Sequence, residues 1–434
     1  MNDKKYKVVS LFAGAGGMDL GFKNAGFDIV WANDFNQYAV ETYKHNFGSD
    51  HVVLGDITQV PSSDIPDGVD VVIGGFPCQG FSVANTRRNM EDKRNFLYLE
   101  LLRVVRDKQP KFFVAENVKG LLSMGKGQVI ELIKSDFEKI GYKVDYKVLN
   151  SADYGVPQAR ERVIIMGNRL GLENVFPVET HGPAIQEDET GQVEADLFKE
   201  AETQKNLIPY ITVEEAIGHL SDVRTRNEPF VFNGQTIFNH VAAENVSDKF
   251  WGRKHKVNQE EVCDYLKYWR EKAMISVKKI DEHFGYRHTA GHWFRKDNKS
   301  GSIPKPEDWW VLKKLLKFDD TFDKQVTEFI EKEIKFEQSL RITNWDRPSD
   351  TITASQPEIH VNKKRRLSVR ECAILQSFPN DFEFLGSMNA MYTQVGNAVP
   401  VLLAEKIGLC VRDSILQHMH KAKEDANELL VVNS

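Results

Sequence analysis

Three short stretches place reactive side chains where apolar runs end. In GGFPCQGFSVAN (74–85) Cys78 follows the apolar run VDVVIGG, and Pro77, Gln79, Gly80 and Ser82 make a constrained, polar turn around it. A buried cysteine is ordinarily an inert packing residue, whereas on such a turn a thiol stands open to a substrate. In KFFVAENV (111–118) an apolar run carries Glu116 to its end, an expensive place for a carboxyl that has neither a task nor a partner. In QARER (158–162) Arg160 and Arg162 alternate, and could fix an oxygen of a substrate ring or the neighbouring carboxylate. A thiolate beside a proton-carrying glutamate suits addition to an electron-poor ring: sulfur attacks while the acid protonates or hydrogen-bonds the ring nitrogen. The competing reading is an inert thiol and a solvated pair of arginines.

A second group of residues suggests a cofactor. FAGAGGMDLGF (12–22) puts glycines at 14, 16 and 17. They allow a tight turn and close approach to a ligand, and a helix starting just after them aims its amide dipoles there. The spacing is not G-x-G-x-x-G and no phosphate-gripping lysine follows, which excludes a P-loop and disfavours a dinucleotide. Asp34 and Asp56 each end an apolar run. A carboxylate at a second strand end commonly holds ribose hydroxyls, and one at the third could accept from an adenine amino group. Either alone could be a helix cap. Together they indicate a nucleoside-bearing cofactor without a phosphate cradle.

The elements that position these residues follow from periodicity. Apolar, β-rich runs at 6–12, 28–34, 51–56, 69–75, 111–118, 142–150 and 162–168 predict seven strands. Helical patterns separate most of them; in VIELIKSDFEKIG, residues Ile130, Ile133, Phe137 and Ile140 recur on one face. This alternation predicts an α/β fold, a doubly wound, mostly parallel seven-stranded sheet with helices on both faces. In such a sheet the glycine turn, both aspartates, Cys78 and Glu116 share the carboxyl edge. Past residue 175 the rhythm breaks, and residues 176–360 read as a separate, smaller and irregular module. Helical patterning returns in RRLSVRECAILQSF and PVLLAEKIGLCVRDSILQHM, so 361–434 completes the domain begun by 1–175.

Length and composition set the frame. A chain of 434 residues exceeds one compact domain, and 41% hydrophobic with 28% charged residues is ordinary for a soluble globular protein. No signal-peptide pattern and no membrane-length apolar window is present, so the expected location is cytoplasmic. The four cysteines, Cys78, Cys263, Cys372 and Cys410, lie far apart, which argues against disulfides and zinc knuckles; the last three have apolar neighbours and read as packing residues. His288 and His292 share a helix spacing but have no further ligands nearby, so no metal is expected. The net charge of −6 hides basic clusters at 86–94, 251–256 and 363–366.

FAGAGGMDLGF, FPCQGFS, ENV, QARERV, RRLSVRECAILQSFP and QVGNAVP occur here in the order and approximate spacing of the DNA (cytosine-5) methyltransferases of bacterial restriction-modification systems. The chain resembles that family over roughly residues 6–170 and 340–410. The resemblance implies an S-adenosylmethionine-dependent fold and methyl transfer to carbon 5 of cytosine through a covalent cysteine adduct. By position it makes Cys78 the nucleophile, Glu116 the contact to ring nitrogen 3, Arg162 the contact to the cytosine oxygen and Arg160 the buttress of the glutamate. For the cofactor it implies Phe12, Ala13, Gly14, Gly16 and Pro77, with Asp34 at the ribose, Asp56 and Ile57 at the adenine, and Asn397 and Val399 in the last motif. Many members carry glutamate where Asp34 stands, one methylene longer.

The implied partner is double-stranded DNA whose target base swings out of the helix. Residues 80–94 are similar to the family's mobile loop, with Ser82, Arg87 and Arg88 as expected phosphate contacts. Residues 176–360 correspond to its target-recognition domain. SLRITNWDRPSDTITASQ (339–356) resembles a groove-entering segment in which Arg341 is the expected guanine reader and Thr351 a further DNA contact. Lys363 to Arg366 suit phosphates or water. A monomer acting beside a cognate restriction endonuclease is the expected setting. Two alternatives stand beside this reading. A transfer RNA-methylating relative would differ in the sequence after Pro-Cys, and a catalytically idle DNA-binding relative would not require Cys78, Glu116 and Arg162 together.

Overall fold

The computed structural model describes residues 5–77, 97–183, 207–242 except 221 and 227, 268, 272–284, 311–321 except 312 and 318, 342–362 except 355 and 356, and 364–432. Cys78, Ser82, Arg87, Arg88, Cys263, His288, His292 and Arg341 lie outside them.

The seven expected strands form one sheet: Lys7–Leu11 (β1), Asp28–Asp34 (β2), Val52–Leu54 (β3), Val71–Gly74 (β4), Phe112–Val118 (β5), Lys143–Asn150 (β6) and Glu161–Asn168 (β7). Their order is β3-β2-β1-β4-β5-β7-β6. β1 pairs in parallel with β2 and β4, as do β2 with β3 and β4 with β5. β7 runs antiparallel to both β5 and β6, with Arg162 opposite Val118 and Ile164 opposite Glu116. The strand order reverses direction at β1, the switch point where open α/β sheets bind ligands. Because β7 is inverted, its first residues lie at the edge where the parallel strands end.

Side chains alternate along each strand, so the sheet feeds two cores. One holds Leu11, Val72, Phe113, Ala115, Val163 and Ile165 against helices Leu97–Lys108 (α3) and Gln128–Lys139 (α4). Phe113 stacks on Phe137 at 4.1 Å between ring centroids, and burying either ring fully stabilises the fold by about 1.5–3 kcal/mol. Of the predicted α4 face, Ile130, Ile133 and Phe137 are buried and Ile140 is half-buried.

The other core holds Val8, Val71, Ile73, Phe112, Val114, Ile164 and Met166. Against it pack Gly17–Asn24 (α1) and the long last helix, Val401–Val432. A Cβ added to Gly21 would fall 2.5 Å from both Ala404 Cβ and the Val401 carbonyl, so these two helices touch through glycine. Helix Gln37–Phe47 (α2) packs its Val40 and Tyr43 on Ala32 and Val52.

Two compact units make up the chain. The first comprises Met1–Val241, Asn344–Ser355 and Val369–Ser434; it contains the sheet, helices Val369–Leu375 (α5), Met388–Asn397 (α6) and Val401–Val432 (α7), and a hairpin of Phe230–Phe232 and Gln235–Ile237. Cys372 is buried in α5 and Cys410 half-buried in α7, where burial pushes its thiol up. The second unit comprises Ala242–Thr343 and Gln356–Ser368. Within it the Thr343 amide and hydroxyl both donate to the Ile359 carbonyl, each at 2.9 Å.

Candidate active site

A cleft of about 1000 Å³ opens at the carboxyl edge of β1, β2, β4 and β5. Phe12, Ala13, Gly14, Asp34, Asp56, Ile57, Pro77, Glu116, Arg160, Arg162, Asn397 and Val399 all line it. The fold therefore gathers most of the described candidates into one place.

At one end the turn after β1 is set by its backbone. Phe12, Gly14 and Gly16 have φ of 56°, 56° and 91°. For a side chain as large as Phe12 this left-handed conformation is strained, a feature that clusters at ligand sites. A Cβ at Gly14 would meet nothing within 4 Å, so its role is the dihedral and the open space in front of it. Gly16, which precedes the first residue of α1, makes no side-chain cap, and the turn is tied instead to β2 by the Ala13 amide on the Asn33 carbonyl at 3.0 Å.

Asp34 organises this end. Its two carboxylate oxygens accept from the Gly14 and Asn36 amides, each at 2.8 Å. Burial pushes its carboxyl up, and the backbone amides pull it back. Each oxygen keeps a lone pair for a ligand hydroxyl. Asp56 caps the short turn Ile57–Gln59, its Oδ1 accepting from the Thr58 amide at 3.0 Å, and its side chain is exposed at the cleft. Beside Asp34 stands Phe35, 73% exposed and lining the cleft. An unburied ring at that position can stack on a planar ligand. Sequence reasoning missed it, although an aromatic directly after a strand-ending acid was the available signal.

At the other end Arg162 Nε and Glu116 Oε1 form an ion pair at 2.7 Å between largely buried side chains. The antiparallel register makes the contact, because residues diagonal across two strands share a face. A Cβ on Gly75 would lie 3.1 Å from Glu116 Oε2, so that glycine leaves room for the carboxyl. Asn117, also missed, donates its side-chain amide to the Phe76 carbonyl at 2.9 Å and so holds the segment that follows β4.

Arg160 differs from its expected role as buttress of the glutamate. It is 1% exposed, and its guanidinium donates through Nη1 to the Ile352 carbonyl and through Nη2 to the Gly396 carbonyl, each at 3.0 Å. Its coupling to Glu116 is through charge. Burial first, then the Arg162 charge, lower it to about 9, and Glu116 opposes the shift. Direct hydrogen bonding to the glutamate falls to Arg162, because β7 begins at Glu161 and the chain before it turns away toward Ser349, whose carbonyl accepts from the Ala159 amide at 2.8 Å. Thr351 is half-buried and donates Oγ1 to the Ala159 carbonyl at 3.0 Å.

Residues 6–411 match the family model for C-5 cytosine-specific DNA methylases. The chain is 34% identical over 407 residues to Type II methyltransferase M.NgoFVII of Neisseria gonorrhoeae, covering 92% of this chain and 84% of that protein. It is 31% identical over 441 residues to Type II methyltransferase M.AgeI of Thalassovita gelatinovora, covering 94% of this chain and all of that protein (100%). Among solved structures, a DNA modification methyltransferase encoded within an E. coli prophage aligns with TM-score 0.55 at 22% identity, over 94% of this chain and 99% of that one. The S. pombe Dnmt2 methyltransferase aligns with TM-score 0.52 at 15% identity, over 95% and 99%. These two likenesses bear on the fold.

Proposed function

Because the chain belongs to the C-5 cytosine-specific DNA methylase family, we propose that its cleft holds S-adenosylmethionine at the glycine turn and a flipped-out cytosine at the Glu116–Arg162 pair. The enzyme is a DNA cytosine-5 methyltransferase, and the methyl donor supplies an electrophilic methyl group. The residues present fit that donor: Asp34 would accept from ribose hydroxyls and Phe35 would offer its ring to the adenine. Asp56 and Ile57 complete the adenine side, with Phe12, Ala13, Gly16, Pro77, Asn397 and Val399 around the remainder.

Carbon 5 of cytosine is a poor nucleophile. In our reading the Cys78 thiolate adds to carbon 6 while Glu116 delivers a proton to ring nitrogen 3, so the electron pair collects at carbon 5. Arg162 donates to the exocyclic carbonyl oxygen of cytosine and fixes the carboxyl. After methylation a base removes the carbon-5 proton, the carbon–sulfur bond breaks to release the Cys78 thiolate, and ring nitrogen 3 returns its proton to Glu116. Arg160 acts behind this pair. The observation that supports the reading best is the Arg162–Glu116 ion pair lining the same cleft as Asp34 and the glycine turn.

We further assign target recognition to residues 176–360, phosphate contacts to Ser82, Arg87 and Arg88, and DNA contacts to Arg341 and Thr351. The Type II names of the relatives support placing the enzyme beside a restriction endonuclease of the same target, and we assign it as a cytoplasmic monomer. Among the described residues no helix is long and apolar enough to cross a membrane.

Incubation with labelled S-adenosylmethionine and either duplex DNA or transfer RNA tests the substrate; label is expected in DNA alone. Duplex DNA carrying 5-fluorocytosine at the target should give a denaturation-resistant adduct that Cys78→Ala abolishes. Methylation by Cys78→Ala at the normal rate would overturn the mechanism.

A further inference from the structure

A fully buried polar clasp joins three segments of the first unit that the proposed mechanism treats separately. Gln158 and Gln376 are both 0% exposed. Gln158 Oε1 accepts from the Ile352 amide at 2.9 Å, and its Nε2 donates to Gln376 Oε1 at 2.9 Å and to the Leu375 carbonyl at 3.2 Å. Gln376 Nε2 passes the chain on to the Val395 carbonyl at 2.8 Å. Arg160 closes the loop, since it holds the carbonyls of Ile352 and Gly396. Both polar groups of the Ile352 residue are thus gripped from Gln158 and Arg160, and the carbonyls of Val395 and Gly396, just before Asn397, from Gln376 and Arg160. Thr393 Oγ1 adds a bond to the Ala354 carbonyl at 3.0 Å. The contact is backbone on backbone: a Cβ on Gly396 would sit 2.5 Å from Ala354 N and from the Thr353 carbonyl oxygen.

Placing two amides and a guanidinium in an apolar interior is costly unless every partner is fixed. The donor–acceptor sense of the chain is also fixed. Gln376 Nε2 faces a carbonyl, so its Oε1 must face Gln158 Nε2, which leaves Gln158 Oε1 for the Ile352 amide. The segment so gripped, Asn344–Ser355, lies in sequence between the two stretches of the second unit.

We infer that Gln158 and Gln376 are positioning residues for methyl transfer: through this clasp they set Arg162, two residues beyond Arg160, and Asn397 at a fixed separation across the cleft. The inference rests on the proposed reading of Arg162 as base contact and Asn397 as cofactor contact. Catalysis depends on holding two reactants within a fraction of an ångström, so loosening the clasp costs rate at saturation as well as cofactor affinity.

Gln158→Met and Gln376→Met keep the volume and delete the hydrogen bonds. Assayed on duplex DNA well below their melting temperatures, each is expected to lower kcat about tenfold or more and to raise the KM for S-adenosylmethionine, with a matching rise in the calorimetric Kd for S-adenosylhomocysteine. The double variant should be little worse than the poorer single one, because the two glutamines act as one device. Lower melting temperatures with unchanged kcat, KM and Kd would mean mere packing and would overturn the inference. Should the single variants not fold, Thr393→Val, which removes only the Ala354 bond, carries the same readout with an expected loss of about threefold, and unchanged constants again overturn it. An active wild type with unaffected variants defeats this inference alone; a wild type inactive on DNA defeats the functional reading and this inference with it.

Discussion

Glu116 and Asp19 are both buried carboxyls at the cleft, and their surroundings separate their roles. Glu116 has a cation 2.7 Å away and lines the cleft, where the proposed mechanism has it deliver a proton. Glu116→Gln keeps the shape and removes the transferable proton, so kcat on duplex DNA should fall about 10²- to 10⁴-fold while the KM for S-adenosylmethionine stays within about threefold. Steady-state kinetics with saturating DNA checks this. Asp19 is fully buried with no cation beside it among the described residues; its Oδ1 accepts from Ser10 Oγ at 2.6 Å. Burial raises its carboxyl from 3.8 to about 6, against the pull of the Ser10 and Tyr43 hydroxyls. Between those values the folded protein binds more protons than the unfolded chain, so this group's contribution to stability falls as pH rises and its penalty is complete above about 6. Asp19→Asn keeps the Ser10 bond and removes the penalty. The variant should melt above wild type at pH 8, with the gap closing toward pH 4, as thermal melts across a pH series would register. A gap that stayed constant would assign the difference to packing.

Legibility in the sequence changes at the scale of elements. All seven strands were visible, since short apolar, β-rich runs bounded by turns mark strands covered on both faces. The inverted direction of β7 was not, because RVIIMGN reads alike for either orientation, and direction is decided only by which edge its ends meet. The same limit hid the partners of Arg160. Ile352 and Gly396 lie 192 and 236 positions away, and local pattern carries no trace of them. Asp34, Asp56 and Glu116 were legible because a strand-ending acid after an apolar run is locally odd. The contact of α1 with α7 gives a prediction at this scale. Gly21→Ala drives a methyl into Ala404 and the Val401 carbonyl, so it should destabilise the fold by about 1–3 kcal/mol in urea unfolding. Gly120→Ala, where a Cβ meets only Val118 Cγ2 at 3.9 Å, should be neutral within about 0.5 kcal/mol.

Across the whole molecule, chain order and spatial order part company. Sheet and cleft draw on Met1–Val241 and then again on Val369–Ser434, with the whole of the second unit spelled out between them. The composition shift near residue 175 pointed to an inserted module. It could not say that 207–241 would pack with the first unit, because short, weakly periodic segments such as the capped helix Val213–Ile217 declare no allegiance until they are packed.

The glycine-mediated seat of α7 on α1 carries a consequence for how the protein can be made. Two stretches of polypeptide far apart in translation meet along a pre-shaped, interdigitated seam, so the peptide bonds that join them by way of the intervening unit are not what keeps them together. Co-expressed as separate products ending and resuming inside residues 243–267, the two pieces should copurify through a tag on either one and retain methyl transfer, whereas Gly21→Ala in the amino-terminal piece should release its companion.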